Sequence, residues 1–196
     1  PVRQADDYSG GRIEAVDLET GAVEVLYSHA GEVPLKGPND IVFDADGGFW
    51  FTDLGKKRER DQDRGVVYYA RTDGSHIHEA IFPCETPNGI GLSPDGTTVY
   101  VAETEPARVW AFDITGPGEI GRQPWPSPHG GRLLTGLPGF QRLDSLAVDG
   151  AGYVCVATLI NGGITAISPD GSEVTHIPMP DMYTTNICFG GPELLT

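Results

Sequence analysis

The chain has 196 residues, with 28 acidic against 13 lysine and arginine side chains and a net charge of −15. That length suffices for one domain with a sizeable core. An acidic chain without a basic patch argues against a nucleic-acid partner, and no apolar run approaches the ~18 residues of a membrane span. The cysteines, Cys84, Cys155 and Cys188, are odd in number and widely spaced. They form neither a zinc spacing nor a disulfide framework and read as free thiols.

Residues 1–10 read as the tail of a preceding structural unit. A strand follows at Arg12-Ile13-Glu14-Ala15-Val16-Asp17, closed by a Thr20-Gly21 turn. The first of four similar segments then opens at Asn39. Asn39-Asp40-Ile41-Val42-Phe43 is a short strand, Asp44-Ala45-Asp46-Gly47 a turn, and Gly48-Phe49-Trp50-Phe51-Thr52 a returning strand, together a β-hairpin pattern. Asp44-Ala45-Asp46-Gly47 lacks the rest of a twelve-residue calcium loop with its terminal Glu, so it reads as turn chemistry. The run from Lys56 to Arg64 mixes the two signs of charge and reads as a solvated loop. A second hairpin type begins at Gly65-Val66-Val67-Tyr68-Tyr69 and turns at Asp73-Gly74.

The pair recurs. Asn88-Gly89-Ile90-Gly91-Leu92 leads through Asp95-Gly96 to Val99-Tyr100-Val101, and is followed by Arg108-Val109-Trp110-Ala111-Phe112-Asp113. Asp144-Ser145-Leu146-Ala147-Val148 leads to Tyr153-Val154-Cys155-Val156, and is followed by Gly163-Ile164-Thr165-Ala166-Ile167. A fourth copy starts at Asn186-Ile187-Cys188-Phe189 and breaks off at Glu193-Leu194-Leu195-Thr196. Two hairpins per period make four strands per unit, and the copies are spaced by 49, 56 and 42 residues, against about 40–50 for propeller blades, with insertions in loops. An all-β fold of about four blades is expected, with residues 1–196 a partial propeller truncated at both ends. Val42, Phe43, Trp50, Ile90, Leu92, Val99, Val101, Leu146, Val148 and Val154 are its expected core.

Each copy is headed by a polar residue, at positions 39, 88, 144 and 186. A single Asn or Asp before a strand is most simply a turn residue satisfying local backbone groups. Asn39, Asn88 and Asp144 stand in register on three repeats, however, and equivalent positions of successive blades converge on a central channel. Their oxygens suit a hard cation such as calcium. The five histidines form no ligand spacing, and no Gly-x-Ser-x-Gly elbow supports a serine hydrolase.

The segments Gly37-Pro38-Asn39-Asp40 with Gly47-Gly48-Phe49-Trp50-Phe51-Thr52-Asp53, Pro87-Asn88-Gly89-Ile90 with Ser93-Pro94-Asp95-Gly96 and Tyr100-Val101-Ala102-Glu103, and Leu143-Asp144-Ser145-Leu146-Ala147-Val148-Asp149 resemble, in order and spacing, the gluconolactonase and senescence-marker-protein family of lactonases. The resemblance implies a six-bladed β-propeller hydrolase with one divalent metal, most simply Ca2+, in its channel. It implies metal ligands at Asn39, Asn88 and Asp144 and a Glu from the blade upstream of Pro1. Asp144 would double as the base that assists water. A small-molecule lactone is the implied substrate, with no nucleic-acid or membrane partner, and a cytoplasmic location is expected, a signal peptide remaining open. Sugar-lactone members often carry a substrate-contacting Arg where this chain has Gly37, which points toward simpler lactones. Ser145 resembles the bacterial drug-responsive branch. A propeller phosphotriesterase with the same kind of calcium site, and a non-enzymatic propeller binding module, stay open beside lactone hydrolysis.

Overall fold

A computed structural model describes residues 5–190, and in them every regular element is a strand. In chain order these are β1 (Ile13–Val16), β2 (Val23–Tyr27), β3 (His29–Ala30), β4 (Val33–Pro34), β5 (Pro38–Phe43), β6 (Gly48–Asp53), β7 (Gly65–Arg71), β8 (Ile77–Cys84), β9 (Pro87–Leu92), β10 (Thr98–Glu103), β11 (Arg108–Gly116), β12 (Glu119–Ile120), β13 (Arg132–Gly136), β14 (Leu143–Val148), β15 (Val154–Thr158), β16 (Gly163–Ile167) and β17 (Val174–Pro178).

The strands form antiparallel meanders in sequence order. One sheet is β5-β6-β7-β8; the next is β9-β10-β11-β13, with β12 pairing the far end of the long β11; the third is β14-β15-β16-β17. Ahead of them, β1 pairs β2 and β3 pairs β4 in two small sheets. Antiparallel neighbours need only short turns, and the chain supplies them with Gly at positive φ in Gly21, Gly74, Gly96 and Gly171, as the sequence leads one to expect. Three four-stranded units are therefore complete, while the expected fourth copy at Asn186–Phe189 forms no strand among the described residues; its continuation at 193–196 lies outside them.

Side-chain alternation explains how the sheets stack. In β10, Val99 and Val101 face the layer that holds Trp50, Val67, Tyr69 and Ile81 of the first sheet. Tyr100 and Ala102, on the opposite face, pack with Leu143, Leu146, Val154 and Val156 of the third. A strand covered on both faces reads as a continuous apolar run, which is why β6, β10 and β15 are buried almost end to end. Burying a large apolar side chain contributes about 1.5–3 kcal/mol, so the two inter-sheet layers dominate the stability.

The expected core residues lie in or against these layers with one exception. Phe43 is 62% exposed, because period-two alternation in β5 turns it away from Val42 and the second sheet. On that side the small sheets β1–β2 and β3–β4, through Ile13, Leu26, Tyr27 and Ala30, and Leu35 pack over Phe49, Phe51 and Tyr68 and leave Phe43 beyond their reach. Phe43 keeps one ring contact, with Phe49 at 5.6 Å.

Candidate metal and substrate site

The first strands of the three sheets run side by side, β5 against β9 and β9 against β14. Each contains a register break at the same place: between Pro38 and Ile41, between Pro87 and Ile90, and between Leu143 and Leu146. A β-bulge re-aims the side chains of its extra residue. Here the bulged pairs are Asn39-Asp40, Asn88-Gly89 and Asp144-Ser145. The polar heads picked out by the repeat thus occupy three equivalent bulges.

The bulges are tied together laterally. Asp40 N–H donates to Thr52 Oγ1 (3.1 Å), and the Thr52 hydroxyl donates to the carbonyl of Asn88 (2.6 Å). The Asp40 carboxylate accepts from Ile90 N–H at 3.4 Å, and the polar groups of Ser145 and Leu146 stand close enough to favour its ionised form. It therefore stands where all three sheets meet. Gly89 permits the tight approach of β9 to β14: a Cβ there would lie 2.6 Å from both the Asp144 carbonyl oxygen and Leu146 N.

Two of the three expected ligands meet. Asn88 is buried; its side chain donates from Nδ2 to Thr104 Oγ1 at 3.2 Å and stands near enough to the Asp144 carboxyl to favour its ionised form. Its Oδ1 is buried without a partner. Such an orphan acceptor costs about 1–3 kcal/mol, and a cation at that oxygen would remove the penalty. Burial pushes the Asp144 carboxyl above the usual carboxylate range; the Asn88 amide opposes this, and the nearby Asp40 charge adds to it. Asp40 is raised as well, again chiefly by burial. Adjacent desolvated carboxylates beside an unsatisfied amide oxygen suit an oxygen-seeking cation. Asn39 stands on the neighbouring bulge but is exposed, and it is not hydrogen-bonded to Asn88 or Asp144. Among the described residues no three His, Cys, Asp or Glu side chains gather as a metal cluster; the expected set has a single carboxylate and draws its other oxygens from amides.

Asn88 also lines a cavity of about 560 Å³ that includes Thr86, Thr104, Glu105, Lys56 and Arg142. Thr86 holds φ +51°, a backbone region that costs a β-branched residue about 1–3 kcal/mol. Its hydroxyl accepts from Glu105 N–H (2.9 Å) and its carbonyl from Thr104 N–H (3.0 Å), which fixes the partner of Asn88. The sequence reading missed Asp40, Thr86, Thr104 and the charged rim. Only Asp40 carried a signal, as the second residue of an Asn-Asp pair opening a repeat.

The turn aspartates behave as expected of turns. Asp44 Oδ1 accepts from the amides of Asp46 and Gly48, and Asp149 Oδ1 from those of Ala151 and Tyr153. Cys84, Cys155 and Cys188 are free. No helix among the described residues is long and apolar enough to cross a membrane.

Comparison with known proteins places this arrangement. Lactonase drp35 of Staphylococcus saprophyticus is 30% identical over 176 residues, 89% of this chain and 51% of the relative. Pentonolactonase XacC of Haloferax volcanii is 28% identical over 163 residues, 80% of this chain and 50% of its own. The chain spans about half the length of these curated relatives. Among solved structures, a gluconolactonase of Xanthomonas campestris superposes with a TM-score of 0.67 at 27% identity, covering 87% of this chain and 56% of its own. Regucalcin of Agrobacterium tumefaciens, a calcium-binding protein, reaches 0.74 at 23% identity over 92% and 58%. The pattern of the SMP-30/Gluconolactonase/LRE-like region matches residues 8–196, and the chain belongs to that family.

Proposed function

We propose that residues 1–196 form part of a six-bladed β-propeller that hydrolyses a lactone with the help of calcium. The observation that carries this reading is the pairing of Asn88 with Asp144 on adjoining bulges, with Asn88 Oδ1 left unsatisfied at the wall of a cavity. The named activities of drp35, XacC and the Xanthomonas gluconolactonase supply the substrate class, and the regucalcin neighbour supports calcium.

Asn88 and Asp144 would hold the cation, joined by Asn39 from the third bulge. Bound there, calcium would supply Lewis-acid polarisation of the lactone carbonyl and charge for the oxyanion. The chain's own residues do the rest. Thr104, positioned by the strained Thr86, holds the Asn88 amide by its Nδ2 and so fixes the direction of the unpartnered Oδ1. Asp40 clasps the three bulges and keeps a second negative charge beside Asp144. In the metal-free site that charge and the burial of Asp144 hold its carboxyl above the ordinary carboxylate range; a cation bound beside it would instead ease the demand on the base by lowering the pKa of the attacking water. Asp144 then takes a proton from water as the water oxygen bonds to the carbonyl carbon. The ring carbon–oxygen bond breaks, the ring oxygen leaves as a hydroxyl carrying the returned proton, and a hydroxy acid is the product.

The test is a proton-release assay on the intact protein, with gluconolactone and dihydrocoumarin, across a calcium titration. Lactone hydrolysis that disappears with chelator, returns with calcium and is absent in Asp144→Asn is the expected result. Hydrolysis that ignores both chelator and Asp144→Asn would overturn the mechanism.

A further inference from the structure

The cavity beside Asn88 carries the opposite charge from the rest of the molecule. In a protein of net charge −15, its wall holds Lys56, Lys57 and Arg142 against Asp63 and Glu105. The two acids are already engaged. Glu105 takes Arg142 at 2.7 Å and Lys57 at 3.4 Å, and Asp63 takes Arg58 at 3.0 Å. Among the described residues the ammonium of Lys56 forms no ion pair; it stands 4.4 Å over the ring of Tyr8. A cation–π contact of that kind offsets about 0.5–2 kcal/mol of desolvation and leaves the charge free to take an anion.

Its position is built. The Lys56 N–H donates to Asp63 Oδ2 (3.1 Å) and its carbonyl accepts from Asp63 N–H (3.0 Å), so the backbone is clamped at both groups. Gly37 lies beside its side chain. A Cβ at residue 37 would lie 3.5 Å from Lys56 Nζ, 3.6 Å from Cε and 3.0 Å from the Gly55 carbonyl oxygen. Gly37 lies outside the left-handed region, so what glycine supplies is room for the Gly55 carbonyl at the base of Lys56, and the ammonium stands within van der Waals reach of the same point. Where the family resemblance places an Arg at position 37, this chain has Gly37 with a cation beside it, Lys56, delivered by the β6–β7 connection.

We propose that Lys56 is a specificity-determining residue that binds an anionic substituent, a carboxylate, on the lactone. The proposal rests on the lactonase reading above for the reacting end of the substrate, while the anion site itself rests on Lys56, Gly37 and Tyr8.

The matched pair to assay on the intact protein is glucaro-1,4-lactone, which carries a free carboxylate, and glucono-1,4-lactone, which carries a hydroxymethyl group there. Lys56→Met should raise KM for the first by about 10- to 100-fold, the value of a charge-assisted hydrogen bond, with kcat within about threefold. KM for the neutral lactone should change by less than about threefold. Lys56→Arg should retain most of the preference, and Gly37→Ala, whose Cβ presses on the Gly55 carbonyl just before Lys56, should shift KM the same way by a smaller factor. Equal KM rises for both lactones in Lys56→Met, or none for either, would overturn the proposal. Calorimetric binding of ring-opened glucarate separates the two readings. If no lactone is hydrolysed but glucarate binds the wild type and not Lys56→Met, the anion site stands and the lactonase reading falls. If both lactones are hydrolysed and Lys56→Met binds glucarate as the wild type does, the anion site falls and the lactonase reading stands.

Discussion

At their turn ends, the first hairpins of the three sheets carry Asp44, Asp95 and Asp149, each satisfied within its own loop. At the opposite ends of the same strands, the bulges carry Asn39, Asn88 and Asp144. There Asn88 Oδ1 is buried without a partner, Thr86 sits at positive φ, and the Asp40 charge acts on the Asp144 carboxyl. The titration directions separate the ends too. Hydrogen bonds from Ser93 and Thr97 hold Asp95 below the usual carboxylate range, whereas burial holds Asp144 above it. The repeat thus makes the same hairpin three times and keeps stabilising polar chemistry at one end, strained and unsatisfied polar chemistry at the other. Local conflict of that kind is where function is expected to reside.

The largest effect should come from the bulge end. Asp144→Ala in the intact protein removes the carboxylate beside Asn88, and turnover of a lactone should fall by about 10³-fold or more. Calcium affinity measured by calorimetry should fall with it. A variant that keeps its turnover would dissolve the contrast between the two ends.

Glu103 should give the next largest effect, on stability. It ends β10 where Asp53 ends β6 and Thr158 ends β15, and all three are buried. Asp53 accepts the amides of Lys36, Gly37 and Gly55. Glu103 accepts Glu85 N–H at 2.6 Å and Trp110 Nε1–H at 2.8 Å. Glu103→Ala leaves both donors buried and unpaired, so urea unfolding should show a loss of about 3–5 kcal/mol. Glu103→Gln keeps one acceptor oxygen and should lose roughly half of that.

The two ends also differ in how far the sequence discloses them. Turns, strand alternation and the pairing of hairpins are local, so Asp44-Ala45-Asp46-Gly47 and the β10 pattern announce themselves. The registered heads at 39, 88 and 144 were legible because the repeat supplies its own alignment. The clasp made by Asp40 was not, since its partners Ile90, Ser145 and Leu146 arrive from two other sheets. Lys56 reads as one charge in a solvated loop until the fold sets it over Gly37. Phe43 shows the converse: alternation tells which face a residue takes and not what covers that face.

A smaller effect should separate the inter-sheet layer from both ends. His129 is buried, its ring meeting Trp110 edge-on at 4.5 Å, and its Nδ1 accepts Gly131 N–H at 3.3 Å. Burial, reinforced by the Arg122 charge, pushes its pKa down to about 4. Between that value and the ordinary pKa of ~6.5 the unfolded chain binds a proton that the folded chain refuses, so stability is full above the upper value and is lost as pH falls through the window. The loss should approach the order of 2–3 kcal/mol near pH 4. The gap in stability between wild type and His129→Gln, read from urea midpoints, should therefore narrow from pH 7 to pH 5. A constant gap would show that His129 is protonated as readily folded as unfolded.

The smallest effect belongs to the turn end, and its sign sharpens the comparison. Asp95 Oδ1 takes the Ser93 hydroxyl at 2.6 Å, Thr97 N–H at 3.1 Å and the Thr97 hydroxyl at 2.8 Å, all in the open. These bonds favour the ionised form, so its folded pKa lies below the unfolded one. The contribution is present above the unfolded carboxylate pKa and disappears as pH falls through the folded one. Asp95→Ala should lower the urea midpoint slightly at pH 7 and leave it unchanged in acid, with kcat/KM within about twofold of wild type. Asp144 has the reverse ordering: its folded pKa is raised, so folding with an ionised Asp144 becomes more costly as pH rises through that pKa. Without calcium, Asp144→Asn should then gain stability relative to wild type as pH increases, while Asp95→Asn loses it. Opposite slopes from one residue type at the two ends of one repeat would place the stored electrostatic cost at the bulges. Parallel slopes would mean that Asp144 is solvated like a turn residue and that the bulge end holds no such reserve.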